Sequence, residues 1–493
     1  MKPETSLSQR VAKGGIWVFA LRVLENGLGL IKLVILARFL APNDFGLFGI
    51  ALLALSTLET FTQTGFQAAL VQKKEGITQY LDTVWTASVI RGSILFIIIL
   101  LSAPYVALFF NTPKASLIIQ VIGVSMFLGG FTNIGIIYFQ KELEFNKQFA
   151  YRLSTTVVEF VVVLSAALIF KNVWALVFGL LAGSLAGLVV SYVIHPYRPH
   201  FRLDLGKARE LSGFGRWVFG STILVFLVTQ GDDAFVGKVL GATMLGFYQM
   251  AYRISNMPAT EITHIISEVT FPAYSKMQDD LSRLREAYLR VLQLTAFLSF
   301  PISGLIFILG PDFTKIFLGE KWMPMVPAMQ VLVLYGLFRA IGATTGVVFM
   351  AVGKPEIRTK IQFAQLILLA ILIYPLITHW GIVGASIAVT AYALVFNFVA
   401  VYKVLNIVKS ELKKTAKIVV PPLIGTLILF YTIFALKTYI FDNIGIVYFI
   451  SLIVSGIFVY LLVVYLFDLF LNYRNKQLMQ EYIVSFFPED KEG

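Results

Sequence analysis

Hydrophobic residues in this chain do not alternate with polar ones; they come in long stretches separated by short charged or Pro/Gly turns. The stretches fall near residues 14–38, 45–70, 83–110, 116–139, 151–170 and 173–194. After a basic link they resume at 215–240, 244–272, 288–310, 326–351, 361–378, 381–403, 417–438 and 445–470. Most are long enough for an α-helix to cross a hydrocarbon core of roughly 30 Å, which takes about 20 residues. The short alternating segments of a membrane β-barrel are not seen. The pattern predicts an all-α polytopic membrane protein with 14 transmembrane helices.

One stretch occurs twice. ARFLAPNDFGLFGIA, Ala37 to Ala51, ends one apolar run, turns at Pro42-Asn43-Asp44 and starts the next; GKVLGATMLGFYQMA, Gly237 to Ala251, does the same 200 residues later. Aligned without gaps over 14–51 and 214–251, the two copies share eight identities in 38 positions, among them Gly15/Gly215, Trp17/Trp217, Leu40/Leu240 and Gly46/Gly246. A period that long predicts a duplicated lobe, not a solenoid. The expected organisation is two pseudo-symmetric six-helix lobes plus two C-terminal helices. An N-lobe spans 1–205, a C-lobe 206–410, the last two helices 411–472 and a cytoplasmic tail 473–493.

Composition agrees. Hydrophobic residues make up 58% and charged residues 14%, against about 45–50% and 25% in soluble proteins, and the mean hydropathy is +0.80. The net charge of +12 would point to nucleic acid in a soluble chain, but its distribution has another cause. With a cytoplasmic N-terminus, 28 of the 40 Lys and Arg fall in inside segments and seven in outside ones. This is the positive-inside pattern, with both termini cytoplasmic and anionic inner-leaflet lipid as the partner of the basic loops. No cleavable signal is evident at the polar start. With no cysteine in the chain, thiol chemistry is excluded. His195, His200, His264 and His379 form no metal-ligand spacing, no nucleotide-binding or triad motif occurs, and no loop is large enough for a catalytic domain. A membrane enzyme, a metal site and a bound cofactor are not expected.

The five remaining basic residues, Arg22, Lys32, Arg91, Arg253 and Arg339, lie within spans, where ionisable groups are costly and mark function by default. On the first helix, Arg22 and Glu25 either neutralise each other as an intrahelical pair or form a polar face with Lys32, which has no intrahelical partner. Glu59 sits with Thr62, Gln63 and Gln67 at the end of the second run. On the eighth, Arg253, Asn256, Thr260, His264 and Ser267 follow helical spacing, with Glu261 and Glu268 beside them. Such a stripe must face protein or water. Asp232 and Asp233 are adjacent on the seventh run and either take up H⁺ or Na⁺ or balance a nearby cation. In the repeat register Lys32 stands over Asp232, so the scaffold is duplicated and the charges are not.

The string ILARFLAPNDFGLFGIA, followed by TGFQAALVQKK (64–74) and FQKELEFNKQFA (139–150), resembles the polysaccharide transporter family of the multidrug/oligosaccharidyl-lipid/polysaccharide exporter superfamily, in its colanic-acid and teichuronic-acid exporter-like branch. The resemblance implies a Wzx-type flippase that moves undecaprenyl-pyrophosphate-linked oligosaccharide, the repeat unit of O-antigen, capsule or exopolysaccharide, across the bacterial inner membrane by alternating access. It also implies a central cavity whose cationic residues bind the pyrophosphate, a role that falls to Arg22, Lys32, Arg91, Arg253 and Arg339. Glu25, Glu59, Asp232, Asp233, Glu261 and His264 are then ion-coupling or charge-pairing residues, with an H⁺ or Na⁺ gradient as the possible energy source. Partners are the lipid-linked oligosaccharide, membrane lipids and polysaccharide polymerase or export machinery. The alternative is a cation-coupled multidrug antiporter of the same superfamily, which would use Asp232, Asp233 and Glu59 to attract organic cations. In-span carboxylates, including Glu159, are at least as numerous as in-span bases. A cationic cavity therefore requires some acids to be paired or turned elsewhere.

Overall fold

A computed structural model describes residues 7–63, 65–73, 76–439 and 445–471, without the side chains of 7–16, 68, 212–219, 221, 264–269 and 470–471. The chain runs α1 (Leu7–Phe39), α2 (Pro42–Phe61), α3 (Phe66–Gln72), α4 (Thr78–Phe109), α5 (Ala115–Gly130), α6 (Ile137–Lys141), α7 (Phe145–Phe170), α8 (Trp174–Ile194), α9 (Leu205–Leu240) and α10 (Ala242–Lys276). It continues through α11 (Leu281–Phe313), α12 (Val326–Ala351), α13 (Pro355–Ile407), α14 (Leu412–Tyr439) and α15 (Ile446–Leu471), with no strand among the described residues.

Among the described residues, nine helices are long and apolar enough to cross a membrane, or ten if the pair α5 and Ile134–Lys141, bent by 69°, is one broken span. The long helices α1, α9 and α10 fall outside that group. They are the ones carrying Arg22, Glu25 and Lys32, Asp232 and Asp233, and Arg253 and Glu261. The predicted run 45–70 is divided, and the runs 361–378 and 381–403 are joined. Gly65, at φ 70°, ends the 45–70 run early and starts the short α3. The 53-residue α13 covers two runs and breaks at Gly381 (φ 57°, ψ −136°), a conformation open to glycine alone. The halves meet closely there: a Cβ on Gly384 would lie 1.9 Å from the Leu376 carbonyl oxygen.

The Pro-Asn-Asp turn is a helix start. Pro42 occupies the first turn of α2, where a missing N–H costs nothing. Asp44 Oδ2 accepts the Ala41 N–H at 2.9 Å and Oδ1 accepts the Val173 N–H at 3.2 Å, fastening the start of α2 to the start of α8. Asp204 and Asp280 cap α9 and α11 in the same chemistry, each accepting two backbone N–H groups.

The chain forms two compact units, residues 1–249 and 250–493. This division follows packing; the division after residue 205 read from the sequence follows the duplication. In the first unit α7 lies along α8 and α1, α4 along α5, and α2 packs on α5 and α9. In the second, α12 lies between α11 and α13, and α14 between α11 and α15.

The two copies of the repeated turn meet inside the first unit. A Cβ on Gly46 would lie 1.6 Å from the Ala242 carbonyl oxygen, and one on Gly246 would lie 2.0 Å from the Pro42 carbonyl oxygen. Position 46 thus meets 242 while 246 meets 42, and the Thr243 hydroxyl hydrogen-bonds the Asn43 side chain at 3.3 Å. Reciprocal contact of this kind is the signature of a two-fold relation. It is local, and it holds the register of the repeat.

Candidate functional site

At the end of α2 the chain encloses a cavity of about 860 Å³ between α2, α3, α4 and α6, lined by Glu59, Thr60, Gln63, Phe66, Gln67, Val71, Gln72, Ala87, Ser88, Arg91 and Gln140. Two predicted site residues, Glu59 and Arg91, share it. The last turn of any helix leaves carbonyl oxygens without intrahelical partners and carries the negative end of the helix dipole. Arg91 answers both. Its Nε donates to the Thr62 carbonyl at 3.0 Å, and its Nη2 to the Glu59 carbonyl at 3.1 Å and the Thr62 hydroxyl at 3.0 Å. The guanidinium is therefore first a cap on α2, with only part of its fork left over.

Lys32 has a partner that helical spacing on α1 does not reveal. Its Nζ lies 2.6 Å from Glu159 Oε1 on α7, and both side chains are partly buried. Arg22 and Glu25, on the same helix, are half-buried.

Asp232 and Asp233 each bind a residue sixteen positions on, across the α9–α10 hairpin. The Tyr248 hydroxyl donates to Asp232 Oδ2 at 2.6 Å, and the Gln249 amide to Asp233 Oδ2 at 2.9 Å. Asp232 is 2% exposed, and its buried Oδ1 has no hydrogen-bond partner among the described residues. Gly49 makes room for the second rung, since a Cβ there would lie 2.1 Å from Gln249 Oε1.

In the second unit, Arg339 donates to the Tyr252 hydroxyl at 3.4 Å and to the Thr260 hydroxyl. Tyr252 in turn lies against Tyr335, and Tyr335 against Tyr392, with ring centroids 5.8 and 6.0 Å apart. The predicted α10 stripe is thus partly a helix-packing surface: Asn256 is buried and Thr260 is taken by Arg339. Arg253 is exposed and Glu261 half-buried. The side chains of His264, Ser267 and Glu268 lie outside the described residues.

A brace of polar groups fixes the end of the cavity wall. Lys73, just after α3, bonds Glu210 Oε1 at 2.6 Å and the Tyr80 hydroxyl at 2.8 Å, and Tyr80 donates to Glu210 Oε2 at 2.8 Å. These bonds hold the Glu210 carboxyl below its usual range and the Lys73 ammonium above its own. The 195–204 link is strapped to α4, with Asp82 accepting from the Tyr197 hydroxyl at 2.5 Å and the His200 N–H at 2.9 Å. Burial, then the Asp82 hydrogen bond, pushes the Tyr197 phenol up. Sequence reasoning missed Glu159 as the partner of Lys32, and missed Thr62, Tyr248, Gln249 and Tyr252 as ligands of buried charge. Only Glu159 carried a visible signal, as a carboxylate within a span.

Residues 35–327 match the family described as Polysaccharide biosynthesis protein, and the chain belongs to that family. It is 26% identical over 391 residues to the lipopolysaccharide biosynthesis protein WzxC of Escherichia coli K12, covering 78% of each chain. Among solved structures it resembles the lipid II flippase MurJ in an inward closed conformation, with a TM-score of 0.73 at 17% identity over 92% of this chain and 98% of that one. It also resembles a multidrug-resistance MATE transporter of the MOP superfamily facing inward, with a TM-score of 0.62 at 16% identity over 78% and 94% of the two chains. The fold is shared with these two membrane proteins.

Proposed function

We propose that this chain is a flippase that carries undecaprenyl-pyrophosphate-linked oligosaccharide from the inner to the outer leaflet of a bacterial cytoplasmic membrane by alternating access. The observation that carries the reading is the polar cavity at Glu59 and Arg91, inside an apolar multi-pass chain of the polysaccharide biosynthesis family. A headgroup in transit has to exchange water for fixed polar groups, and this cavity offers them. The fourteen crossings proposed count α1, α9 and α10 as charged spans and α13 as two, and place both termini in the cytoplasm. Two six-helix lobes related by the duplication, followed by α14 and α15, would rock about the substrate. The lipid-linked oligosaccharide and bilayer lipid are the partners, and a polysaccharide polymerase would take the product.

The pyrophosphate is assigned to guanidinium groups, because Arg gives charge-assisted, bidentate hydrogen bonds to phosphoryl oxygens. The candidates are Arg22, Lys32, Arg91, Arg253 and Arg339. Arg91 and Arg339 also hold neighbouring helices, and Lys32 is paired with Glu159. Coupling to H⁺ or Na⁺ is assigned to Asp232 and Asp233. The buried, unpartnered Oδ1 of Asp232 supports this, since such an oxygen gains most from a proton or cation. The same carboxylates are what a multidrug antiporter would use, but family membership favours the saccharide lipid.

Reconstituted protein with fluorescent lipid-linked oligosaccharide tests the reading, with the outer-leaflet fraction followed by a membrane-impermeant quencher. Wild type transfers the lipid, and Arg22→Ala slows transfer by about 10- to 100-fold, the equivalent of losing roughly 1.5–3 kcal/mol of charged hydrogen bonding. No transfer by folded wild type rejects the flippase; an unaltered rate in Arg22→Ala rejects that residue as a phosphate ligand.

A further inference from the structure

The cavity beside Arg91 has the chemistry of a sugar site, not of a phosphate site. Among the described residues, only two of its lining side chains carry charge, Arg91 and Glu59, and they are of opposite sign. Two of the three guanidinium nitrogens are already spent on α2. A pyrophosphate placed there would meet a formally neutral wall with a carboxylate in it.

The remaining polar lining is dominated by glutamine. Gln63, Gln67, Gln72 and Gln140 come from the end of α2, from α3 and from α6, and all four are exposed to the cavity's solvent. Among the described residues their side-chain amides make no hydrogen bonds with protein. Each amide offers one acceptor oxygen and two N–H donors, the complement of a hydroxyl that both donates and accepts. Four neutral amides and one carboxylate therefore read a polyol without demanding charge. Phe66 adds a flat apolar face for the C–H side of a sugar ring. The volume, about 860 Å³, falls in the range of roughly 300–1,000 Å³ found for small-molecule sites. Its neighbours Lys73 and Lys141 belong to the basic loops that the charge pattern places in the cytoplasm, the side on which a lipid-linked sugar would be loaded.

We infer that Gln63, Gln67, Gln72, Gln140 and Glu59 form a glycan-binding subsite that receives the saccharide of the carried lipid, separate from the residues that take its pyrophosphate. The inference rests on the flippase reading and adds where the sugar sits. Arg91 is a positioning residue here: it holds the end of α2 so that Glu59 and Gln63 face the cavity.

The test uses the full chain in detergent and two probes, the water-soluble oligosaccharide released by mild acid from the transported lipid, and inorganic pyrophosphate. Wild type binds both. Gln67→Leu/Gln140→Leu binds the oligosaccharide at least tenfold more weakly and pyrophosphate as before, the retained pyrophosphate binding showing that it is folded. The milder Gln67→Glu/Gln140→Glu variant keeps hydroxyl-accepting groups and loses less. Equal oligosaccharide affinity in wild type and the leucine variant, or no oligosaccharide binding by wild type, overturns the subsite. Loss of pyrophosphate binding in a leucine variant with unchanged thermal unfolding overturns it too, by making the cavity an anion site. Failure of the flippase reading is seen separately, as absence of lipid transfer by wild type.

Discussion

Lys32 and Glu159 lie 127 positions apart in sequence and 2.6 Å apart in space. At the scale of single residues, this pair shows how charge is carried within an apolar fold. Each side chain is partly exposed, so its worth lies between the roughly 0.2–1 kcal/mol of a surface pair and the roughly 3–5 kcal/mol lost on breaking a buried one. Lys32→Met should lower stability by about 1–3 kcal/mol through the stranded Glu159, and Lys32→Met/Glu159→Met should recover most of it. Thermal unfolding of the four proteins in a double-mutant cycle checks this. A double variant that loses the sum of the two single losses would show that the pair is not coupled. Both residues were visible in the sequence as charges within spans. Their pairing was not, because it depends on α1 lying along α7, and helical spacing reports only the neighbours three and four positions away. Arg91 teaches the same lesson: a lone arginine in an apolar run looks like a ligand, yet its hydrogen bonds go to the end of α2, to two open carbonyls and the Thr62 hydroxyl.

Among elements, the crossing of the repeated turns is the tightest contact described. Gly46 and Gly246 sit against backbone, which cannot swing aside as a side chain can. Gly46→Ala and Gly246→Ala should therefore each cost about 1–3 kcal/mol or more, the usual range for overpacking, while Gly27→Ala, with nothing within 4 Å of the added methyl, should not. Melting temperatures of the purified variants decide it: if Gly46→Ala melts with Gly27→Ala, the close crossing is wrong. Here the sequence was informative. Gly46 and Gly246 were found as identities in a gapless register, and small residues at matched positions mark where helices approach. Boundaries were less legible. The run 45–70 reads as one helix because apolarity continues through Gly65, whereas the break at Gly381 was legible, since it falls between the runs 361–378 and 381–403.

For the whole molecule, apolar run lengths and the sorting of basic loops made the multi-pass class plain, and the string around Arg38 to Gly46 made the family plain. Neither could show which polar residues share a cavity, because that is set by how helices far apart in sequence are docked. On the coupling proposed above, an ion gradient would act at Asp232. Transfer by wild type should quicken when a proton or Na⁺ gradient is imposed on proteoliposomes, and Asp232→Asn should transfer at one rate with or without it. A gradient that leaves wild type unchanged removes the coupling role. Gly381 carries a further consequence. Its two helices are joined with no spare residue, and Gly384 touches the backbone of the preceding arm. A turn packed this tightly leaves no room for even one added methyl, so Gly384→Ala should force the two arms apart and lower the melting temperature.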